Sequence, residues 1–352
     1  MPPIRLHRRS AVMAAAAAAA GMAVAYNVGA ALIAHYVQQR GRRRLRDDDS
    51  PPRWAPRDKD ARHRPRSMKD LDDATATTTT MSNSALLEIA CFSGESALIA
   101  ARAGADRIEL CSDYASGGLT PSAETVASVK AQVTVPVYVM IRPHARDFFY
   151  EEVEYVEMQA TMAKMKEAGA DGFVFGILRR TDADEGSPLV DISRNKMLVD
   201  LADGRPCTFH RAFDLIPEAE WERAVDDIAA CGFQSILTCG GPPGKKASDC
   251  VEPLGRLVQR QQERREQNSE SETVIPQIIV GGGVRSTNVS GIYRSVQADA
   301  FHSAALEGKK AYVSRGEVRR IRGAMDRVIR VRNWESSVEP WNEDAPTDAV
   351  TI

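Results

Sequence analysis

No Cys-x-x-Cys pair and no closely spaced cysteine framework occurs in this chain of 352 residues. Its six cysteines, Cys91, Cys111, Cys207, Cys231, Cys239 and Cys250, are irregularly spaced. They read as reduced intracellular thiols, not as the bridges of a small stapled module. A Gly-x-Gly-x-x-Gly turn is missing after the first apolar strand pattern, which weakens the case for an open dinucleotide-binding sheet. Positive charge is scarce in the main body. Residues 1–80 carry 15 basic and 8 acidic side chains, which leaves 31 basic and 40 acidic ones for 81–352. A body with that acidic excess argues against a broad nucleic-acid surface, and no nucleic-acid partner is expected. With 43% apolar and 27% charged residues, the chain has enough apolar material to bury a sizeable core.

The first eighty residues are a different kind of sequence. From Ala11 to Val37 there is no formally charged side chain, and arginines flank the run at Arg5, Arg8, Arg9 and from Arg40 to Arg46. The run is long enough to cross a bilayer. Its many alanines, with Asn27 and His35 inside and no acid before Asp47, also fit a mitochondrial presequence. Residues 1–46 therefore read as a membrane anchor, a presequence or a segment absent from the mature protein. Residues 47–80 are polar, carry prolines and end in a threonine run, the composition of a disordered linker. The expected boundaries are a folded domain over 81–332 and a flexible tail over 333–352. The barrel itself is expected in the cytoplasm, or in a mitochondrion or at a membrane through 11–37 if the first segment is retained.

From residue 81 onward, short runs rich in β-branched and aromatic residues recur about 30 residues apart, the length of a strand–helix unit. They are LLEIACF (86–92), DRIELC (106–111), VPVYVMIR (135–142), DGFVFGIL (171–178), PCTFHRAFD (206–214), QSILTCGG (234–241), PQIIVGGGV (276–284) and DAFHSAA (299–305). Helical patterns fill the intervals. Gly104, Gly169 and Gly232 stand where a helix would end in a left-handed residue before the next strand. Eight such units in about 250 residues predict an α/β fold, a (β/α)8 barrel.

Alternation along the strands predicts which side chains face the barrel interior. Glu88 takes Leu86 and Ala90 inward and sends Cys91 outward. Arg107, Glu109 and Cys111 share the inner face of the second strand; Tyr138, Met140 and Arg142 that of the third; Thr208 and His210 that of the fifth; His302 that of the eighth. Arg211 and Asp214 follow in the loop after the fifth. Each could be a structural ion pair or a satisfied core residue taken singly. Two carboxylates, two arginines and two histidines in one mouth, however, cost several kcal/mol of desolvation, which packing alone does not account for. Glu88, Glu109, His210 and His302 are thus candidates for acid–base chemistry. Gly281, Gly282 and Gly283 follow the seventh strand and Ser303 ends the eighth, where barrels commonly bind phosphate. With Arg107, Arg142, Arg211 and Asp214 they make a candidate site for a small anionic ligand.

The motifs LEIACFSGESA, AGADRIELC, GGLTPS (117–122), VYVMIRP, AGADGFVFGIL, TFHRAFD (208–214), ILTCGG, VGGGV and FHSAA follow one another in an order that resembles the CutC copper homeostasis proteins, over about 85–305. The resemblance implies a (β/α)8 barrel, often oligomeric, that handles copper, with copper(I) held by cysteines near the first two strands. Carried over by position, it implies Cys111, in the IELC motif, as a copper(I) ligand. The family commonly has a second cysteine where this chain has Ala90; Cys91, next in line, would substitute only if the strand bulged. A soft thiolate pair suits copper(I), and here the inner pair is halved. Two function classes stay open: a copper(I)-binding homeostasis protein, and a barrel enzyme acting on a small anionic or phosphorylated metabolite.

Overall fold

A computed structural model describes residues 84–180, 186–268, 274–308 and 312–337. The apolar run 11–37, the linker and the end of the tail lie outside those residues. No helix among the described residues is long and apolar enough to cross a membrane.

Eight parallel strands close into a barrel: β1 (Leu86–Cys91), β2 (Arg107–Leu110), β3 (Val137–Met140), β4 (Gly172–Phe175), β7 (Cys207–Phe209), β8 (Ser235–Thr238), β9 (Gln277–Val280) and β10 (Ala300–Ser303), with β10 paired back to β1. A two-stranded antiparallel piece, β5 (Leu178–Arg179) with β6 (Leu189–Val190), interrupts the series after β4. The helices are α1 (Gly94–Ala103), α2 (Ala123–Lys130), α3 (Glu152–Glu167), α4 (Ile192–Leu201), α5 (Trp221–Cys231), α6 (Val251–Gln267), α7 (Val289–Val296) and α8 (Arg315–Ser337). The (β/α)8 expectation is met, and α8 runs past the expected boundary at 332.

Local chemistry explains the element ends. Ser93, Ser122 and Asp191 stand just before α1, α2 and α4, and their side chains accept backbone N–H groups that those helices would otherwise leave unpaired. Gly104 and Gly232 close α1 and α5 at φ 108° and 93°, a region costly for a residue with a Cβ. The strands are buried on both faces because helices cover the outside. The outer layer packs Leu87, Ile89, Phe173, Phe175, Phe209 and Phe301 against the helices, with Phe233 stacked 4.9 Å from Phe175 and 5.3 Å from Phe209. At about 1.5–3 kcal/mol per fully buried large side chain, this layer supplies most of the stabilisation.

The interior is smaller and layered. Leu237, Ile279 and Ala300 form one apolar patch with Leu86, and Cys111, Tyr138, Met140 and Val174 form another with Phe92. Helix α8 ties the closure together: Arg322 donates to the carbonyl of Ala85 at 3.0 Å and pairs with Asp106, whose carboxylate also accepts the N–H of Leu87 at 2.7 Å.

Candidate functional site

The pairing register sets the interior cluster. Glu88 sits opposite Arg107 on β2 and His302 on β10, and Ala90 sits opposite Glu109. Because neighbouring strands hold these residues at the same height, their side chains meet inside. One oxygen of Glu88 accepts Nε of Arg107 at 2.5 Å and the other meets Nδ1 of His302 at 2.7 Å. Ligating atoms of Glu88, Glu109 and His302 all lie within 4.8 Å of one another. Arg107 also stacks over the ring of Tyr138 at 4.3 Å. The Cys111 thiol donates to Glu109 at 3.4 Å.

The two carboxylates are driven apart. Burial would raise Glu88, but Arg107 and His302 outweigh it and bring the group down to about 2. Glu109 lacks such direct partners, so burial and then the Glu88 charge raise it, against the pull of His302. Its Oε2 and the Nη2 of Arg107 are buried with no hydrogen-bond partner. Burial opposes protonation of His302, yet Glu109 and Glu88 prevail and raise it. The result is an ionised Glu88 orienting an imidazole beside a carboxyl held toward its neutral form, the pairing of opposed groups that acid–base chemistry uses.

Other candidate residues are placed differently. Arg211 pairs with Asp214 at 2.6 Å, and the guanidinium side chain is 40% exposed at the mouth. Asp214 is fixed by the hydroxyl of Thr238 at 2.6 Å and the N–H of Cys239 at 3.1 Å. Arg142, expected among the anion-binding side chains, has both Nη atoms engaged by the backbone. Its Nη atoms donate to the carbonyls of Ser116, Gly118, Ala145 and Arg146 at 3.0–3.2 Å, tying two loops together. His210 follows the end of β7, across the barrel from β1 in strand order, and is not part of the Glu88 cluster. Its Nδ1 accepts the N–H of Ala212 at 3.2 Å.

Ser303 follows the outward parity of Phe301. Its hydroxyl donates to the carbonyl of Val284 at 2.7 Å and accepts from Ala305 and Arg285, which engages it away from the mouth. The glycine run is explained by packing: a Cβ on Gly281 would come 2.6 Å from Leu237, and one on Gly282, at φ 86°, 2.6 Å from Cys239. Tyr150 and Phe148, from the loop after β3, are site neighbours that strand alternation does not reach.

Cys91 is a correction. No bulge intervenes, since Cys91 pairs in regular register with Leu110, and its thiol packs in the outer layer and donates to the carbonyl of Ile89. Cys239 follows β8, across the barrel from β2, and donates to the carbonyl of Gly241 at 3.2 Å. Copper(I) favours closely spaced soft donors. Cys111 has Met140 beside it on the inner face, whereas Cys91 on the neighbouring strand packs in the outer layer, and burial with Glu109 pushes Cys111 well above the ordinary thiol range. These residues do not fit a two-thiolate copper(I) centre. The oxygen and nitrogen donors of Glu88, Glu109 and His302 are close enough for a metal, but the oxygens of Glu88 are already held by Arg107 and His302.

The CutC family model matches residues 85–307. The family protein CutC of Treponema denticola is 35% identical over 224 residues, covering 64% of this chain and 82% of the relative. The copper homeostasis protein cutC homolog of Drosophila melanogaster is 37% identical over 222 residues, 63% of this chain and 77% of that protein. The crystal structure of the CutC protein of Streptococcus agalactiae superposes with a TM-score of 0.55 at 27% identity, over 62% of this chain and 98% of that one. The family match spans the part of the sequence that carries the Glu88 cluster, and the chain belongs to the CutC family.

Proposed function

We propose that this protein serves copper homeostasis, the role named for its Drosophila relative, through proton-transfer chemistry on a small anionic molecule in the barrel mouth. The observation that carries the reading is the 2.7 Å contact between fully buried Glu88 and Nδ1 of His302. An ionised carboxylate on one nitrogen fixes the ring and its tautomer, leaving Nε2 to exchange a proton with a ligand. Glu109, held toward its neutral form, is the matching acid. Arg211, braced by Asp214 and half-exposed, is the cation that meets the ligand's negative charge.

A second reading, copper(I) binding, is favoured by one observation: Cys111 and Met140, two soft donors, pack together in the interior. Anaerobic titration of copper(I) against a colorimetric chelator separates the two. The expected result is that wild type and Cys111→Ser take up equal and less than stoichiometric copper. One tightly held equivalent that disappears in Cys111→Ser would move the function to copper(I) binding.

A further inference from the structure

Buried side-chain polar atoms without a hydrogen-bond partner are rare in folded proteins, and here three of them gather away from the Glu88 cluster. They are Nε2 of His210, Nε of Arg142 and the hydroxyl of Tyr150. All three residues are more than nine-tenths buried, with exposures of 3%, 7% and 5%. They stand at the ends of β3 and β7 and in the loop after β3. Phe148 links them: its ring centroid lies 4.6 Å from that of His210 and 4.8 Å from Cζ of Arg142.

The unmet capacity is for donation. Because Nδ1 of His210 accepts the N–H of Ala212, the proton of the neutral ring resides on Nε2. Burial, and then the charge of Arg142, bring His210 down to about 3, so the ring is neutral at ordinary pH. Arg142 gives its Nη protons to four backbone carbonyls, has the Tyr150 hydroxyl as a polar neighbour and forms no ion pair among the described residues. A buried guanidinium facing only carbonyls leaves a positive charge without a counter-charge, an expensive arrangement unless an anion completes it.

We infer that Arg142, His210 and Tyr150 form an oxyanion subsite on the β3–β7 side of the mouth, which takes a carboxylate or phosphate group of a small ligand. Phe148, half-buried against Arg142 and His210, is the side chain that such a ligand displaces. The inference deepens the proposed function by giving the ligand a second anion contact besides Arg211, and its test reads binding alone, so it stands or falls apart from proton transfer at His302.

The test uses the full chain, with sodium acetate and sodium phosphate as separate probes, followed by calorimetry and by the NMR signal of the His210 Nε2–H. Wild type is expected to bind one of the two at millimolar concentration with a shift of that signal; which one binds distinguishes a carboxylate from a phosphate ligand. Tyr150→Phe removes a buried hydroxyl whose polar neighbour is the Arg142 side chain, so it should fold nearly as wild type does and bind about five- to tenfold more weakly. His302→Gln should bind the anion as wild type does even if the proton-transfer reading fails. Binding of neither anion, no shift at His210, or equal affinity in wild type and Tyr150→Phe would overturn the inference.

Discussion

Replacing Glu88 by glutamine removes a negative charge from the driest part of the barrel while nearly keeping its shape. In the native protein that carboxylate accepts Arg107 at 2.5 Å and meets His302 at 2.7 Å, with Glu88 wholly buried and Arg107 7% exposed. Glutamine leaves the guanidinium buried with only Glu109, already held toward its neutral form, as a neighbouring acid. Breaking one side of a buried pair costs about 3–5 kcal/mol. Removing one side of an exposed pair, such as Arg260 with Glu222 between α6 and α5, costs about 0.2–1 kcal/mol. At roughly 2–4 °C per kcal/mol for a domain of this size, Glu88→Gln should lower the Tm by about 6–20 °C. Calorimetry and urea unfolding on wild type, Glu88→Gln, Arg107→Met and the double variant measure it. The double variant should regain most of the loss, because an apolar pair in place of a buried ion pair is often neutral. A single variant within about 1 kcal/mol of wild type, or a double variant worse than the sum of the singles, would refute the reasoning.

Acid should unfold the barrel in two stages, followed by urea midpoints from pH 7 to pH 3. His210, lowered to about 3 from an ordinary 6.5, contributes stability that is lost as pH falls from 6.5 toward 3; Glu88, lowered to about 2 from 4.5, adds a loss below 4.5. A flat profile down to pH 4 would contradict the His210 placement. A chain beginning at Met81 should melt at the temperature of the full chain, because β1 closes against β10 with residues from Leu86 onward; failure of that truncation to fold would overturn the expected domain start.

Much of the interior was readable because alternation on a strand leaves little freedom. Once Glu88 faces in, Ala90 follows it and Cys91 does not, and the regular pairing of Cys91 with Leu110 shows the same. Arg107, Glu109, Cys111, Tyr138 and Met140 obeyed the same rule. Ser303 was legible too, since an inward His302 makes its neighbour outward; the general habit of phosphate binding after the last strands pointed the wrong way. Loops carry no period. Nothing in the sequence near Arg142 says that its guanidinium bridges the carbonyls of two loops, or that Tyr150 lies near it. The short β5–β6 pair escaped because two-residue strands have too few positions to alternate. Helix α8 overran its expected end because its charged face continues with no glycine or proline before Ser337.

The central claim, that the Glu88–His302 pair and not the Cys111 thiol performs the function, is tested most directly by restoring copper tolerance to a copper-sensitive host that lacks its own CutC protein. Wild type, His302→Gln and Cys111→Ser should be compared at matched soluble protein levels. Cys111→Ser should restore tolerance as wild type does and His302→Gln should not; restoration by His302→Gln together with failure of Cys111→Ser would place the function on the thiol instead.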